Sequence, residues 1–467
     1  MQAINKKLLI EWVITFILMG IGYFLPLGDI YTPQMQMFVA ITIWGLCALA
    51  FGLVNNWVIG IVMPVLWIIT GVTTFNVAFS GWSSTNFFML VNAMLFAEIL
   101  QKTGLMNRIG YILILKSGGT YNSAVWALLL CGIAISLISM MTSPVLIATL
   151  ALALFKTLNL KPTDKSAIPI FTALVLSATH VSVVAYSALK MGIMNMAIQP
   201  VYPGLTISYG MLLKYNWPFI FFIFGFMWLT LKWHEHATKN DSTILDVSAA
   251  KQFYKESYEK LGVMTKSEKI CLVMLVVLFG WLFAYSFGVL KLDIVYGFIL
   301  VNTICFLLGI AEEKDVTRLS WGIFAVVMAF VSVGTIATQL QLTNIISSGI
   351  ASVFSGVGPV IGSFCSLLFG TIANFVLTPY AMMTLLPTVV GSYCVELGWN
   401  FLPHLMSTMI ASDIIFFPYE YPLVLILFAF GICNMSNTVK LLSVKALVCI
   451  AFVAAVMIPY WFVMGLY

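Results

Sequence analysis

The sequence predicts an all-α polytopic membrane protein built as an inverted repeat, with about eleven transmembrane helices and two re-entrant helical hairpins. Three observations lead there. The 467 residues are 61% hydrophobic and only 8% charged, with a mean hydropathy of +1.04. A water-facing surface is roughly 25–35% charged, so this composition excludes a soluble globular domain. Two apolar stretches are interrupted in the same way, by Thr142-Ser143-Pro144 and by Leu377-Thr378-Pro379, at an offset of 235 (377 − 142). Other features recur at nearly that spacing: Gly60 and Gly297 lie 237 apart, as do Leu105-Met106-Asn107 and Leu342-Thr343-Asn344. Ser80 before Trp82 matches Ser320 before Trp321 at an offset near 240. A near-constant offset across unrelated motifs marks an internal structural repeat.

Taken in order, the elements follow from apolar runs long enough to cross about 30 Å of hydrocarbon. Lys6 and Lys7 precede the first run, but no small-residue cleavage site follows Leu27, so it reads as a retained span. Further spans fall near 36–54, 57–74, 86–101, 167–198 and 211–231, and the first near 8–27. The second half supplies 270–288, 294–310, 321–338, 402–434 and 446–466. The stretch 232–269 carries seven lysines against six acids and reads as a cytoplasmic, partly helical linker.

Charge orients these elements. The loop after the fourth span carries Lys102, Arg108 and Lys116, whereas its counterpart at 339–349 is uncharged. Lys156, Lys161 and Lys165 mark the next loop, and its counterpart at 391–400 has only Glu396. Basic loops stay cytoplasmic, so equivalent loops lie on opposite sides and the repeats are inverted. Two basic loops also flank the apolar segment 121–155, which must enter and return as a hairpin. Its twin at 351–390 enters from outside. The expected organisation is a first span (1–30), a first repeat (31–235), a linker (236–266) and a second repeat (267–467). The N-terminus is then cytoplasmic and the C-terminus outside, with Lys314, Arg318, Lys440 and Lys445 on the cytoplasmic side.

The net charge of +5 follows this topology rather than nucleic-acid binding, and the eight cysteines read as packing residues. The four histidines are dispersed (180, 234, 236, 404) and no phosphate-binding loop occurs, which argues against a membrane enzyme or a primary pump.

The two breaks carry the functional signal. A hydroxyl followed by proline is how a helix begins. Two helices starting at mid-membrane aim positive dipole ends at one region and can hold an anion there. Interrupted repeated helices of this kind point to a secondary transporter's binding site. Thr142, Ser143, Pro144, Leu377, Thr378 and Pro379 are therefore the substrate-binding candidates, with Ser143 and Thr378 as caps that also meet the ligand. Asp413 and Glu420 lie in an apolar stretch, where an acid costs roughly 2.5–3.5 kcal/mol. His180 and Lys190 are the only bases in the fifth span. Lys190 joins the substrate set, as a charge for an anion or a partner for Glu420, with snorkelling as the bland reading. Ser139, Asn374, His180, Asp413 and Glu420 are the ion-coupling candidates. Glu98, four residues before Lys102, is placed for a helix salt bridge.

The segment 71–109, GVTTFNVAFSGWSSTNFFMLVNAMLFAEILQKTGLMNRI, resembles the divalent anion:sodium symporter family. In that family a G-V, an A-x-S-G, a long apolar run and a K-T-G-L before a basic residue recur in this order. The resemblance runs more loosely over almost the whole chain. It implies a homodimer in the lipid bilayer of a bacterial plasma membrane, moving small anions, di- or tricarboxylates, by an elevator mechanism. It further implies coupling to a sodium gradient, with sodium as the only accessory species. The family's tips carry Ser-Asn-Thr, which would place sodium around Ser143 and Thr378. Here both asparagines are missing, which opens three alternatives: proton coupling through Glu420, Asp413 or His180; anion exchange; or a transport-inactive sensor. The family's second helix break corresponds to Pro418-Tyr419-Glu420, with a first-half counterpart within 180–195.

Overall fold

The computed structural model describes residues 6–26, 30–139, 144–185, 187–239, 247–354, 356–375, 377 and 379–467; among them there is no strand. Helix α1 (Lys6–Tyr23) packs on α2 (Pro33–Phe51), which Thr32 opens by accepting the Met35 amide. Asn55 caps α3 (Asn56–Ile69), and a short α4 (Phe75–Ala78) leads to α5 (Thr85–Thr103). Gly104, at φ +83°, turns the chain into α6 (Leu105–Leu115). Then come α7 (Tyr121–Ile138), α8 (Pro144–Thr157), and the interrupted pair α9 (Ala167–Ala178) and α10 (Ala188–Ile198). Helices α11 (Tyr209–Asn216) and α12 (Phe219–Ala237) meet at a 58° bend, and α13 (Ser248–Lys260) lies in the linker.

The second half runs α14 (Lys266–Ser286), α15 (Ile294–Leu307), α16 (Glu313–Thr317), α17 (Trp321–Gln339) and α18 (Leu342–Phe354). It continues through α19 (Pro359–Ala373), α20 (Pro379–Leu397), and the interrupted pair α21 (Phe401–Ala411) and α22 (Pro422–Ala429). Helix α23 (Met435–Phe452) passes through a π turn (Val453–Met457) into α24 (Ile458–Val463).

Element by element the halves correspond. Helices α3, α5, α6 and α7 start at 56, 85, 105 and 121, and α15, α17, α18 and α19 start at 294, 321, 342 and 359, a nearly constant offset. Packing corresponds too: α3 lies on α17 as α15 lies on α5, and α7 on α9 as α19 on α21. At the last two crossings a glycine permits the approach. A Cβ on Gly132 would collide with Ser177 Oγ, and one on Gly370, its counterpart in the second half, would reach Ala411 Cβ at 2.7 Å. Gly60 touches the Ala325 backbone in the same way, but its expected partner Gly297 faces the Trp281 ring, so that pair is not equivalent in packing.

Among the described residues, five helices are long and apolar enough to cross a membrane, or six if the bent α11–α12 pair is one span. The other expected spans are shorter or broken. The segments read as loops after the fourth span and at 339–349 are instead α6 and α18. Arg108 is no solvent-facing loop charge: only 6% exposed, it donates to Glu268 at 2.8 and 3.2 Å and to the Gly262 carbonyl at 3.0 Å. The expected Glu98–Lys102 bridge is replaced as well. Lys102 projects past the end of α5 onto the acidic start of α16, meeting Asp315 at 2.8 Å and Glu312 at 3.2 Å, while Glu98 faces Arg318 at 3.9 Å. The linker helix α13 rests on α6 and α8, with Tyr254 donating to the Leu150 carbonyl.

Candidate functional site

The two interrupted helices build the site. In the first, α9 stops at Ala178, a 3-10 turn covers His180–Val183, and Ser187 caps α10 by accepting the Lys190 amide. In the second, α21 stops at Ala411, a 3-10 turn covers Pro418–Glu420, and Pro422 opens α22. Proline cannot continue the preceding helix because it lacks the amide and clashes with the turn behind it. This is the break expected at Pro418-Tyr419-Glu420, and its first-half counterpart, expected within 180–195, includes 179–185 and 187 among the described residues.

The breaks meet through charge. Lys190 Nζ lies 2.6 Å from Asp413 Oδ1, with side chains 4% and 0% exposed. Lys190 also donates to Ser412 Oγ at 3.3 Å, and Ser182 Oγ donates to Asp413 Oδ2 at 3.3 Å. A buried ion pair holds only if each charge keeps its partner and its remaining hydrogen bonds, so these contacts lock the two breaks together. Lys190 thus pairs with Asp413 and not with Glu420. The Glu420 carboxylate is taken by its own turn, accepting the amides of Phe416 at 3.1 Å and Phe417 at 3.0 Å.

A second lysine enters from α23. Lys445, 1% exposed, donates to the Asp413 carbonyl at 2.9 Å and has Asp413, Glu420 and Lys190 as charged neighbours. The sequence reading left it on the cytoplasmic surface, because the last span was started at 446. The helix begins at Met435 and runs unbroken to Val463, which draws the lysine inside. A lysine flanked by SV and ALVCIAF was the available signal.

Asn374, at the end of α19, donates Nδ2 to the Ile414 carbonyl at 3.0 Å and, more weakly, to that of Ser412 at 3.5 Å. Its buried Oδ1 has no hydrogen-bond partner among the described residues. Helix α7 touches the first broken helix at the corresponding place, with Ser136 Oγ donating to the Ser177 carbonyl at 2.7 Å. Ser139 ends α7 and is buried. His180 shares a 2.6 Å hydrogen bond with Thr179 Oγ1 and packs its ring on Phe219 and Phe222. Thr142, Ser143 and Thr378, with the expected sodium positions around the last two, lie outside the described residues. Pro144 opens α8, while Pro379 is buried at the start of α20 and Leu377 is half-buried before it. No cluster of three or more His, Cys, Asp or Glu side chains suits a metal ion among the described residues.

An apolar helical chain with corresponding halves, whose interrupted helices meet at a buried ion pair, is by class a secondary transporter. A citrate transporter family model matches residues 37–395, well over half of the sequence, and the chain belongs to that family. It is an integral, multi-pass membrane transporter of small anions and not an enzyme. Among solved structures the fold is similar to the Alcanivorax borkumensis YdaH transporter, with a TM-score of 0.55 and 14% identity over 98% of both chains. It is likewise similar to Neisseria gonorrhoeae MtrF, of a class of antimetabolite efflux pumps, with a TM-score of 0.54 and 12% identity over 99% of this chain and 96% of that one. At such identities the likeness is one of fold. No curated protein sequence matches this chain.

Proposed function

We propose that this chain carries di- or tricarboxylates across the membrane by alternating access, with the anion bound where the hairpin ends face the two breaks. The observation that carries the reading is the buried Lys190–Asp413 pair, which joins the halves at 2.6 Å. A buried ammonium needs an anion beside it, and a substrate carboxylate can take that place once Asp413 is protonated. Proton uptake and anion binding are then linked, because neither Lys190 nor Asp413 is stable alone in an apolar site. The starts of α8 and α20 add positive dipole ends toward the anion.

Helix α8, with 14 residues, and α19, with 15, span about 21 and 23 Å at 1.5 Å per residue. Each is shorter than the hydrocarbon layer, which supports reading α7–α8 and α19–α20 as re-entrant hairpins. Inverted orientation of the repeats, an elevator displacement and a homodimer in a bacterial plasma membrane complete the reading; charge distribution supports the first, and the resemblance supports the rest. Sodium coupling at the tips is the second reading, and the same resemblance favours it.

The test is uptake of labelled citrate and succinate into proteoliposomes, with sodium and pH gradients imposed separately. Uptake that follows the proton gradient and disappears in Lys190→Met and Asp413→Leu is the expected result. Uptake that requires sodium and ignores pH selects the second reading, and none under any gradient removes the carboxylate proposal.

A further inference from the structure

Within the second break the chain turns three carbonyl groups away from helical hydrogen bonding. No backbone amide donates to the oxygens of Ser412, Asp413 or Ile414 among the described residues. Unwound carbonyls of this kind are what interrupted transporter helices use to coordinate a small cation. Here nitrogen donors from two other helices reach them. Lys445 of α23 donates to the Asp413 carbonyl at 2.9 Å, and Asn374 of α19 donates to the Ile414 carbonyl at 3.0 Å and the Ser412 carbonyl at 3.5 Å. In the first break the Thr179 carbonyl accepts from the Ser182 amide and hydroxyl, the Val181 carbonyl accepts two amides, and the Val183 carbonyl accepts the neutral amide of Asn216 from α11 at 3.1 Å, so no ammonium donates to these three carbonyls.

We infer that Lys445 is a built-in cation that fills the carbonyl site of the second break, so that this site takes no sodium. Its ammonium has the charge of a sodium ion and three donors in place of coordination bonds. Being part of α23, it cannot leave when conditions change. Charge balance supports the assignment. Lys190 and Lys445 together match Asp413 and Glu420, whereas a sodium ion added at the same carbonyls would leave a buried excess of positive charge, which an apolar interior disfavours. The inference separates the two lysines by task. Lys445 stays fixed on backbone, and Lys190 alone is free to exchange a carboxylate partner.

As a statement about coupling this rests on the transport reading, but its test needs no substrate. The thermal unfolding midpoint of the purified full-length protein would be followed while sodium chloride replaces choline chloride at constant ionic strength. For the unaltered chain the midpoint is expected to stay level. Lys445→Ala opens the carbonyls, so its midpoint should start lower in choline and rise saturably by several degrees with sodium. Asn374→Ala, which leaves Lys445 in place, should show no saturable rise. A saturable sodium response in the unaltered chain, or none in Lys445→Ala, overturns the inference. If Lys445→Ala cannot be purified in either salt, Lys445→Gln, which keeps a donor without the charge, is read by the same criteria. Failure of citrate and succinate uptake would remove the transport proposal and leave this titration standing.

Discussion

The Lys190–Asp413 pair offers the sharpest separation of structural from functional roles. Asp413→Leu leaves the Lys190 ammonium, 4% exposed, with Ser412 Oγ at 3.3 Å and the face of the Tyr421 ring at 5.8 Å as its remaining partners among the described residues. Removing one member of a buried pair costs about 3–5 kcal/mol, which is two to four powers of ten in the folded ratio at about 1.4 kcal/mol each. Lys190→Met takes the direct partner from the Asp413 carboxylate, which keeps Ser182 Oγ at 3.3 Å and the Lys445 ammonium as a charged neighbour. Combining the two replaces charge by apolar volume, and such replacements are typically neutral or stabilising by about 1–4 kcal/mol. The expected pattern is therefore two unstable single variants and a double variant restored in stability. The measurements are the unfolding midpoint in detergent and labelled citrate uptake by reconstituted protein. Because the anion needs Lys190, the double variant should remain inactive. A double variant that regains both stability and uptake would refute the argument, since the pair would then be packing only. Single variants as stable as the unaltered chain would refute the buried pairing itself.

Other expectations test the frame around the site. Gly132→Ala and Gly370→Ala should each lower stability by about 1–3 kcal/mol, the usual cost of overpacking, read as a fall in the unfolding midpoint. Arg108→Met should cost about 3–5 kcal/mol by stranding Glu268, and Arg108→Lys should restore little, because only the planar fork reaches both carboxylate oxygens and the loop carbonyls. At Asp315 burial raises the carboxyl, and the Lys102 ammonium and the Glu312 amide more than offset it, holding it below its ordinary value. That contribution is fully present above the unfolded value of about 3.9 and is lost as pH falls through the lower folded value. Melting curves should show Asp315→Asn weaker than the unaltered chain near neutrality, with the gap closing in acid.

What the sequence makes legible is periodic and local. Composition fixes a membrane solvent, and the spacing of the matched motifs is the offset at which α3, α5, α6 and α7 reappear as α15, α17, α18 and α19. The glycines 132 and 370 carry that offset too, yet their meaning appears only when α9 and α21 are packed on them. Helices α6 and α18 escape a hydropathy reading because short segments with polar residues look like loops until they are seen packed on α7 and on α20. Lys445 escapes for a related reason, since a span is started after a charge when no counter-charge is visible. The pairing of Lys190 with Asp413 crosses 223 residues and depends on how two breaks are rotated toward each other. Neither acid's surroundings can be read from its neighbours in the chain.

The π turn at Val453–Met457 bears on the same lysine. Lys445, Cys449, Val453, Met457 and Trp461 are all buried and recur every fourth residue. In a regular helix each such step drifts by about 40°, so the stripe would wander about 160° over sixteen residues. The wide turn accommodates one extra residue, worth about 100°, and takes back more than half of that drift. Trp461, about 24 Å beyond Lys445 along the axis, donates its indole hydrogen to the Tyr215 carbonyl at 2.9 Å, beside the α11–α12 bend. The heading of the buried ammonium is thus phased against an anchor at the far end of the same helix, and the irregular turn between them acts as the vernier.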